Sequence, residues 1–240
     1  MNKTMLLSLM AGLSTPVLAL PPMPSQGLNG VVHAGYAGGE IETNFLARLD
    51  GFQVDLGDER IDGYGTPDAE NLYLPLLSGE LGWTFGNEHT RVSVANEYTD
   101  ILEFDRVTRA SLRHDFSALG QVRIDGLFHW GFATQVWRDP YEVGTKRNRT
   151  DQEVSGGRLI WDGMFGSGIG IDLLYKNKDV ENEQSAASLE DLMDAQRGLL
   201  DREGDHYRGE INYFYQVDER HGVKPGIAYV EKDLDGDAMS

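Results

Sequence analysis

The sequence predicts an antiparallel transmembrane β-barrel, and three observations lead to that prediction. Apolar and polar residues alternate in nine segments of about ten residues, which is the period of strands with one apolar and one polar face. Every second connection between these segments is short, as in outer-membrane barrels, which have tight periplasmic turns and long external loops. The polar positions carry charges of both signs, and burying these charges in a dry core would cost much free energy.

The first element of the chain is a targeting segment. Residues 1–19 predict a Sec signal peptide, because Lys3 precedes an apolar run at Met5–Leu13. Cleavage is expected after Ala19. The run has about half of the 20 residues that a membrane-spanning helix needs. The mature chain, residues 20–240, is then one barrel domain.

Strands follow along the mature chain. The nine alternating segments are 27–36, 77–85, 90–98, 104–116, 120–132, 153–162, 168–176, 206–216 and 223–232. The fifth segment has the strongest pattern. There we expect Ile124, Gly126 and Phe128 to face lipid, and Arg123 to face the lumen.

Connections of unequal length predict how the barrel lies in the membrane. The long ones, 37–70, 133–150 and 177–205, are expected outside the cell, and the mature amino terminus is expected in the periplasm. In the last long loop, Ser188 and Asp191 predict a capping box, and apolar residues follow at roughly helical spacing. The loop is therefore expected to hold a small helix, either simply solvated or serving as a docking element or lid.

The carboxyl end predicts that strands are missing. Nine strands that start from the periplasm leave Asp233–Ser240 outside the cell, whereas a closed bacterial barrel needs an even number of strands. The chain also ends at Ser240, and barrel proteins usually end their closing strand with an aromatic residue. The alternative is a ten-stranded barrel whose tenth strand lies within residues 42–58.

Charged side chains on the polar face are the candidate functional residues. The residues expected to line the lumen are Arg91, Glu97, Arg109, Arg113, Arg123, Asp125, His129, Arg158, Asp172, Arg208 and Glu210. A wide selective pore often carries charge of one sign. This mixture of signs therefore predicts either a narrow barrel closed by salt bridges or a channel of low selectivity.

No catalytic site is expected on this face. Asp125 and His129 lie about 13 Å apart along a strand, which is too far for a hydrogen bond between a base and its orienting group. Ser111 and His33 could approach each other across strands, which the sequence does not reveal. No nucleophile motif surrounds any serine.

The composition excludes several other classes of function. The 39 acidic and 21 basic residues give a net charge of −18, whereas nucleic-acid binding requires a basic face. The absence of cysteine excludes disulfides, thiolate zinc sites and iron–sulfur clusters. No cofactor or metal site is expected. Weak binding of divalent cations to the acidic stretches 179–205 and 233–237 stays open, although the second lacks the residue order of an EF-hand loop.

A set of motifs resembles a known family. The motifs are Trp137-Arg138-Asp139-Pro140-Tyr141, Val143-Gly144, Thr150-Asp151, Arg158-Leu159, Trp161-Asp162 and Phe165-Gly166-Ser167-Gly168. Together with Leu20-Pro21 and Gly27-Leu28-Asn29-Gly30, they resemble the uncharacterised bacterial family called domain of unknown function 2860. The resemblance implies an outer-membrane β-barrel with no assigned activity. It also implies further residues at the carboxyl end, where members of that family are longer.

The predicted function follows from the barrel and the resemblance together. We expect an outer-membrane protein of a gram-negative bacterium that serves as a structural barrel or a passive channel, without a cofactor and without enzymatic activity. Its expected partners are outer-membrane lipid, lipopolysaccharide and the barrel-insertion machinery. Two alternatives stay open: an outer-membrane hydrolase, and a soluble exported β-barrel that binds a small ligand.

Overall fold

The computed structural model describes residues 20–49, 54–65, 67, 69–100, 105–130, 134–217, 221–236 and 238, so the predicted signal peptide lies outside the described residues. The described chain is all-β, with fourteen strands, one short helix and three 3-10 turns. The strands are β1 (Gly27–Ile41), β2 (Leu46–Leu49), β3 (Val54–Asp55), β4 (Glu70–Thr84), β5 (Thr90–Asp100), β6 (Asp105–Asp115), β7 (Gln121–Phe128), β8 (Thr134–Trp137), β9 (Arg149–Asp162), β10 (Ile169–Val180), β11 (Gly204–Tyr213), β12 (Tyr215–Gln216), β13 (Gly222–Val223) and β14 (Gly226–Leu234). The helix is α1 (Asp194–Arg197), and the 3-10 turns are Ser117–Leu119, Met164–Gly166 and Gly198–Leu200.

Nine strands form the main path of one antiparallel sheet. Its order is β1-β4-β5-β6-β7-β9-β10-β11-β14, so each of these strands pairs with the next one along the chain. The nine strands coincide with the nine alternating segments of the sequence, which confirms the predicted antiparallel all-β fold. Within the described residues no ladder joins β1 to β14, so the sheet is open at these two edges.

The two faces of the sheet differ sharply in polarity. On β7, Ile124 is 56% exposed, whereas its neighbour Asp125 is 3% exposed. On β10, Leu173 is exposed and Asp172 is buried. Because successive side chains of a strand point to opposite faces, the alternation gives an exposed apolar face and an enclosed polar face. This is the reverse of an ordinary soluble sheet, which buries its apolar side.

Tight turns join the strands at one end of the sheet, which we call the short-turn end. The turns 85–89, 116–120 and 163–168 connect β4 to β5, β6 to β7 and β9 to β10. Gly120 has a φ of 91°, and a Cβ there would lie 2.4 Å from the carbonyl oxygen of Asp162. The turn between β6 and β7 therefore requires glycine at this position.

The long connections fold into a layer at the opposite end, which we call the loop layer. It consists of the described parts of residues 42–69, 129–148 and 181–203. In this layer β2 pairs with β3 and with β8, and β8 continues the pairing to β9. The stretch 42–58 therefore holds two short strands, β2 and β3, but both belong to the loop layer and not to the main path of the sheet.

An apolar cluster lies on the polar face, between the loop layer and the charged residues described below. Its buried side chains are Val107, Leu127, Val154 and Leu174. These residues come from four successive strands of the sheet, β6, β7, β9 and β10.

The predicted loop helix is present, but it is shorter and begins later than expected. It starts after Met193, whose backbone N–H donates to Gln196 Oε1 at 2.9 Å. The predicted capping box at Ser188 and Asp191 is wrong, because the Ser188 N–H donates to Asp139 Oδ2 at 2.7 Å in a turn. No helix among the described residues has the length and apolar character needed to cross a membrane.

Candidate functional site

Eight charged side chains on the polar face form one connected network of ion pairs, which we call the charged layer. Its members are Glu80, Arg91, Glu97, Arg109, Arg123, Asp125, Arg158 and Asp172. They come from β4, β5, β6, β7, β9 and β10. The antiparallel register and the period of two bring them to one face, so the backbone alone positions the set.

Arg109 of β6 is the centre of the charged layer. Its Nη2 lies 2.7 Å from Glu80 Oε2, and its Nε lies 3.0 Å from Glu97 Oε2. Its Nη1 lies 3.6 Å from Oδ1 of Asp125, whose side chain is fully buried. One guanidinium therefore ties β6 to β4, β5 and β7.

Arg158 of β9 extends the network across the interior. Its Nε donates to Asp172 Oδ1 at 2.8 Å on the adjacent β10. Its Nη1 also lies 3.8 Å from Glu97 Oε1 on β5, although β6 and β7 separate these two strands in the sheet. In a flat sheet the two strands would be about 14 Å apart. The contact across two intervening strands indicates that the sheet curls around its polar face.

Two further pairs complete the charged layer. Arg91 Nη2 lies 3.0 Å from Glu80 Oε1, and Arg123 Nη2 lies 2.9 Å from Asp125 Oδ2. Four arginines thus face four carboxylates, so the layer carries no net charge with which to select ions. Arginine also stays protonated and provides no general base.

A cleft of about 670 Å³ lies between the charged layer and the residues that precede β1. Its walls include Leu20, Pro22, Arg113, Arg123 and Asp172. The cleft lies toward the short-turn end of the sheet.

The eleven residues predicted to line the lumen divide into two groups. Seven belong to the charged layer. Arg113 is buried, lines the cleft and donates hydrogen bonds to the Pro21 carbonyl oxygen and to Gln121 Oε1. Arg208 and Glu210 contact each other on β11, apart from the charged layer. His129 follows β7 and is half-buried.

Two residues of the polar face were missed by the sequence interpretation. Glu80 accepts from two arginines, and the alternation of β4 could have identified it, because it faces the same side as Gly82 and Thr84. Asp162 is buried at the end of β9. No signal in the sequence distinguishes it from a solvated turn residue.

The serine considered for catalysis has a different partner. Ser111 Oγ accepts a hydrogen bond from Arg109 Nη1 at 2.8 Å. In the sheet register Ser111 lies opposite Asp125. His33 lies on the edge strand β1, opposite Ser78 of β4, and its side chain is exposed. In the ladder order, β4 and β5 lie between the strands that carry His33 and Ser111.

A group of three carboxylates in and beside the loop layer has the spacing of a cation site. Oxygens of Asp201, Glu203 and Asp235 lie within 4.8 Å of one another. Burial raises the pKa of Glu203, and nearby carboxylates raise it further. The hydrogen bond that Glu203 accepts from the Val180 N–H acts in the opposite direction and lowers the pKa. Asp235 belongs to the acidic stretch 233–237, whereas Asp237 lies outside the described residues.

The most specific motif of the sequence builds the loop layer. Trp137 is fully buried, and the guanidinium carbon of Arg147 lies 4.4 Å from its ring centroid. Asp139 accepts the N–H groups of Tyr141 at 2.9 Å, Ala186 at 3.0 Å and Ser188 at 2.7 Å. The motif therefore joins the two long loops 129–148 and 181–203 through backbone hydrogen bonds.

The comparisons with known proteins agree with this motif. A family model described as "Protein of unknown function (DUF2860)" matches residues 38–240, which is most of the chain. No curated protein and no solved structure matches the chain. The protein thus belongs to the family DUF2860, as the resemblance of its central motifs indicated.

Proposed function

We propose that this protein is an outer-membrane β-barrel whose apolar face contacts lipid and whose charged layer closes the lumen. The single observation that carries the proposal is the reversed polarity of the sheet, with apolar side chains outside and ion pairs inside. Its role is then structural, and not that of a wide pore.

The extent of the apolar face supports contact with lipid. Exposed large apolar side chains occur on every strand of the main path; examples are Val32, Leu81, Val94, Leu112, Ile124, Leu159, Leu173, Ile211 and Ile227. Soluble monomers rarely expose apolar patches beyond a few hundred Å². In lipid, exposed apolar side chains no longer carry the free-energy cost of contact with water, and the backbone groups of the strands are already paired in ladders.

Aromatic residues border the apolar face at both ends, as in the girdles of outer-membrane barrels. Trp83 and Tyr213 are exposed near the short-turn end, and Tyr73 and Tyr207 are exposed toward the loop layer. On β4, Tyr73 and Trp83 are ten positions apart, which is about 33 Å along a strand. A strand tilt of about 40° projects this length to about 25 Å, the height of the apolar band of such barrels.

The charged layer supports a closed lumen. Side chains from β5 and β9 meet across the interior, so the space between them is filled by guanidinium and carboxylate groups. Lipid, lipopolysaccharide and the barrel-insertion machinery are the partners that this proposal implies. Closure of the sheet between β1 and β14, directly or through further strands, is part of the same proposal.

Contact with lipid can be tested directly, because the chain has no cysteine and single-cysteine variants can carry a fluorescent label. The variants Ile124→Cys and Leu173→Cys lie on the apolar face, and Thr145→Cys lies on an exposed part of the loop layer as the control. In vesicles of phosphatidylcholine with brominated acyl chains, we expect quenching of the first two labels but not of the third.

The opposite result would identify a soluble exported β-barrel. In that case the labels at 124 and 173 would escape quenching, and the protein would stay monomeric in buffer without detergent.

Planar-bilayer recordings test the closed lumen separately. We expect no stable conductance from the wild type, and a large steady conductance would replace the structural role by that of a passive channel.

A further inference from the structure

The residues that precede β1 cross the short-turn end of the sheet. The Gln26 N–H lies 3.5 Å from Glu88 Oε1, in the turn between β4 and β5. Further toward the amino end, Arg113 of β6 donates to the Pro21 carbonyl oxygen. The segment 20–26, which we call the amino segment, thus passes from β1 beneath β6 and forms one wall of the cleft.

The amino segment ends at a buried carboxylate. The backbone nitrogen of Leu20 donates a hydrogen bond to Asp162 Oδ2 at the end of β9. Asp162 is 6% exposed, and in the part of the chain that the structure describes its carboxylate forms no ion pair with a side chain. A Cβ at Gly170 would lie 2.8 Å from Asp162 Oδ1, so the glycine leaves the space that this carboxylate occupies.

A largely buried carboxylate whose donor is an amide is incompletely compensated, because among the described residues no side-chain cation pairs with it. The predicted signal-peptide cleavage lies between Ala19 and Leu20, so the nitrogen that contacts Asp162 is the one that cleavage would free. These two observations are independent, since one comes from the sequence pattern and the other from the packing of β9.

We propose that cleavage after Ala19 creates the missing cation: the α-ammonium group of Leu20 pairs with Asp162 and holds the amino segment in the cleft as a tethered plug. Water adds across the peptide bond, so that its oxygen joins the Ala19 carbonyl carbon and the Leu20 nitrogen becomes an amine, which takes a second proton from solvent. The inference rests on export of the chain, as does the proposed function, but it does not require lipid.

Proline makes the amino segment a suitable plug. Pro21, Pro22 and Pro24 restrict the backbone, so little conformational entropy is lost when the segment is fixed. Arg113 anchors the segment at the Pro21 carbonyl, and Asp115 also lines the space around Leu20. The amino segment thus joins β6 and β9 at the short-turn end.

The experiment measures the reactivity of the α-amine in the mature protein. Intact mass and amino-terminal sequencing of the protein exported from a gram-negative host should give Leu20 as the first residue. An acylating reagent at pH 7 reacts with α-amines, whose pKa is about 7.7–8.0, ahead of lysines at about 10.4. We expect the Leu20 amine to react about tenfold more slowly in the wild type than in Asp162→Asn, as one pKa unit of ion pairing implies. Glu190→Gln, an exposed residue of the loop layer at the opposite end, should match the wild type.

A second variant keeps the test decisive if Asp162→Asn does not fold. Insertion of Gly-Ser between Ala19 and Leu20 moves the amine away from Asp162 and leaves the rest of the chain unchanged, and it should also raise the rate about tenfold. A mature terminus other than Leu20, or equal rates in the wild type and the insertion variant, overturns the inference. Because labelling is done in detergent or in buffer, its outcome is independent of the lipid-quenching result that tests the proposed function.

Discussion

The charged layer and the loop layer both bury arginine, but they use it differently. In the charged layer, Arg109 pairs with carboxylates on three other strands. In the loop layer, Arg147 is 1% exposed and donates instead to the backbone carbonyl oxygens of Asn44, Asp58 and Pro140. One arginine therefore binds side chains, and the other binds backbone.

The state of the backbone explains this difference. Strand ladders already satisfy the N–H and C=O groups around Arg109, so its charge must find other charges. The long loops have few ladders, and their buried carbonyl and N–H groups need side-chain partners. Arg147 provides the donors and Asp139 provides the acceptors. Substitutions in the charged layer should therefore destabilise the whole sheet, whereas substitutions in the loop layer should destabilise only the loops.

The largest effect is expected from Arg109→Met in the charged layer. The change leaves Glu80, Glu97 and Asp125 with less positive charge around them, and breaking a buried pair in this way costs about 3–5 kcal/mol. Urea titration of the reconstituted protein gives the free energy of unfolding. Arg208→Met is the matched control, because its side chain is 39% exposed and the loss should be at most about 1 kcal/mol. Equal losses in the two variants would show that the charged layer contributes no more to the free energy of unfolding than an exposed ion pair does.

A smaller effect is expected when arginine is placed on the opposite face of the same strand. Arg123 already lies beside Asp125, whereas Ile124→Arg points the same charge to the apolar face. In a bilayer this substitution should cost about 2–4 kcal/mol if residue 124 lies near the midplane. Leu199→Arg, on the exposed loop layer, should change the free energy of unfolding by about 0.5 kcal/mol or less. If Ile124→Arg is as harmless as Leu199→Arg, the apolar face does not contact lipid.

The loop layer is tested by Asp139→Asn, with an expected loss of about 1–3 kcal/mol. The amide oxygen of asparagine can replace only one of the two carboxylate oxygens as an acceptor. The NH₂ group then faces backbone N–H donors, either those of Tyr141 and Ala186 or that of Ser188. The loss should appear as faster protease cleavage within residues 181–203, with the sheet intact. Asp191→Asn is the exposed control in the same loop. Global unfolding of Asp139→Asn would contradict the local role of this layer.

The same contrast decides what could be predicted from the sequence. The nine strands and the charged positions follow from a period of two, which is a property of each strand alone. The partners of each charge depend on register and curvature, so the contact of Arg158 with Glu97 across two strands was not predictable. Glu80 was within reach of the same rule and was overlooked.

The loop layer was predicted less well, for a physical reason. Its contacts join distant segments through backbone groups, which carry no sequence signal. The capping box at Ser188 is the clearest example, since the N–H that would begin a helix instead binds Asp139, 49 residues away. The motif around Trp137 could be recognised by its family, but only the packing shows what it holds together.

The smallest expected effect concerns pH and Glu203, beside the loop layer. Burial and the carboxylates of Asp201, Asp179 and Glu183 raise the pKa of Glu203 in the folded chain. A carboxyl whose pKa is raised by folding contributes stability below its unfolded pKa, and this contribution is lost as the pH rises through the folded pKa. Lowering the pH from 7 toward about 4.5 should therefore stabilise the folded segment around Glu203, because protonation removes a buried charge and its repulsion from the neighbouring carboxylates. The Val180 N–H, 3.0 Å from Glu203 Oε1, favours the charged form and offsets only part of this gain. Hydrogen exchange at Val180, corrected for the intrinsic rate, should show higher protection at the lower pH.

Glu203→Gln retains an acceptor and should make the protection independent of pH, whereas Glu190→Gln, which is exposed, should leave the dependence unchanged. The same pH dependence in Glu203→Gln would assign the titration to another group of the loop layer.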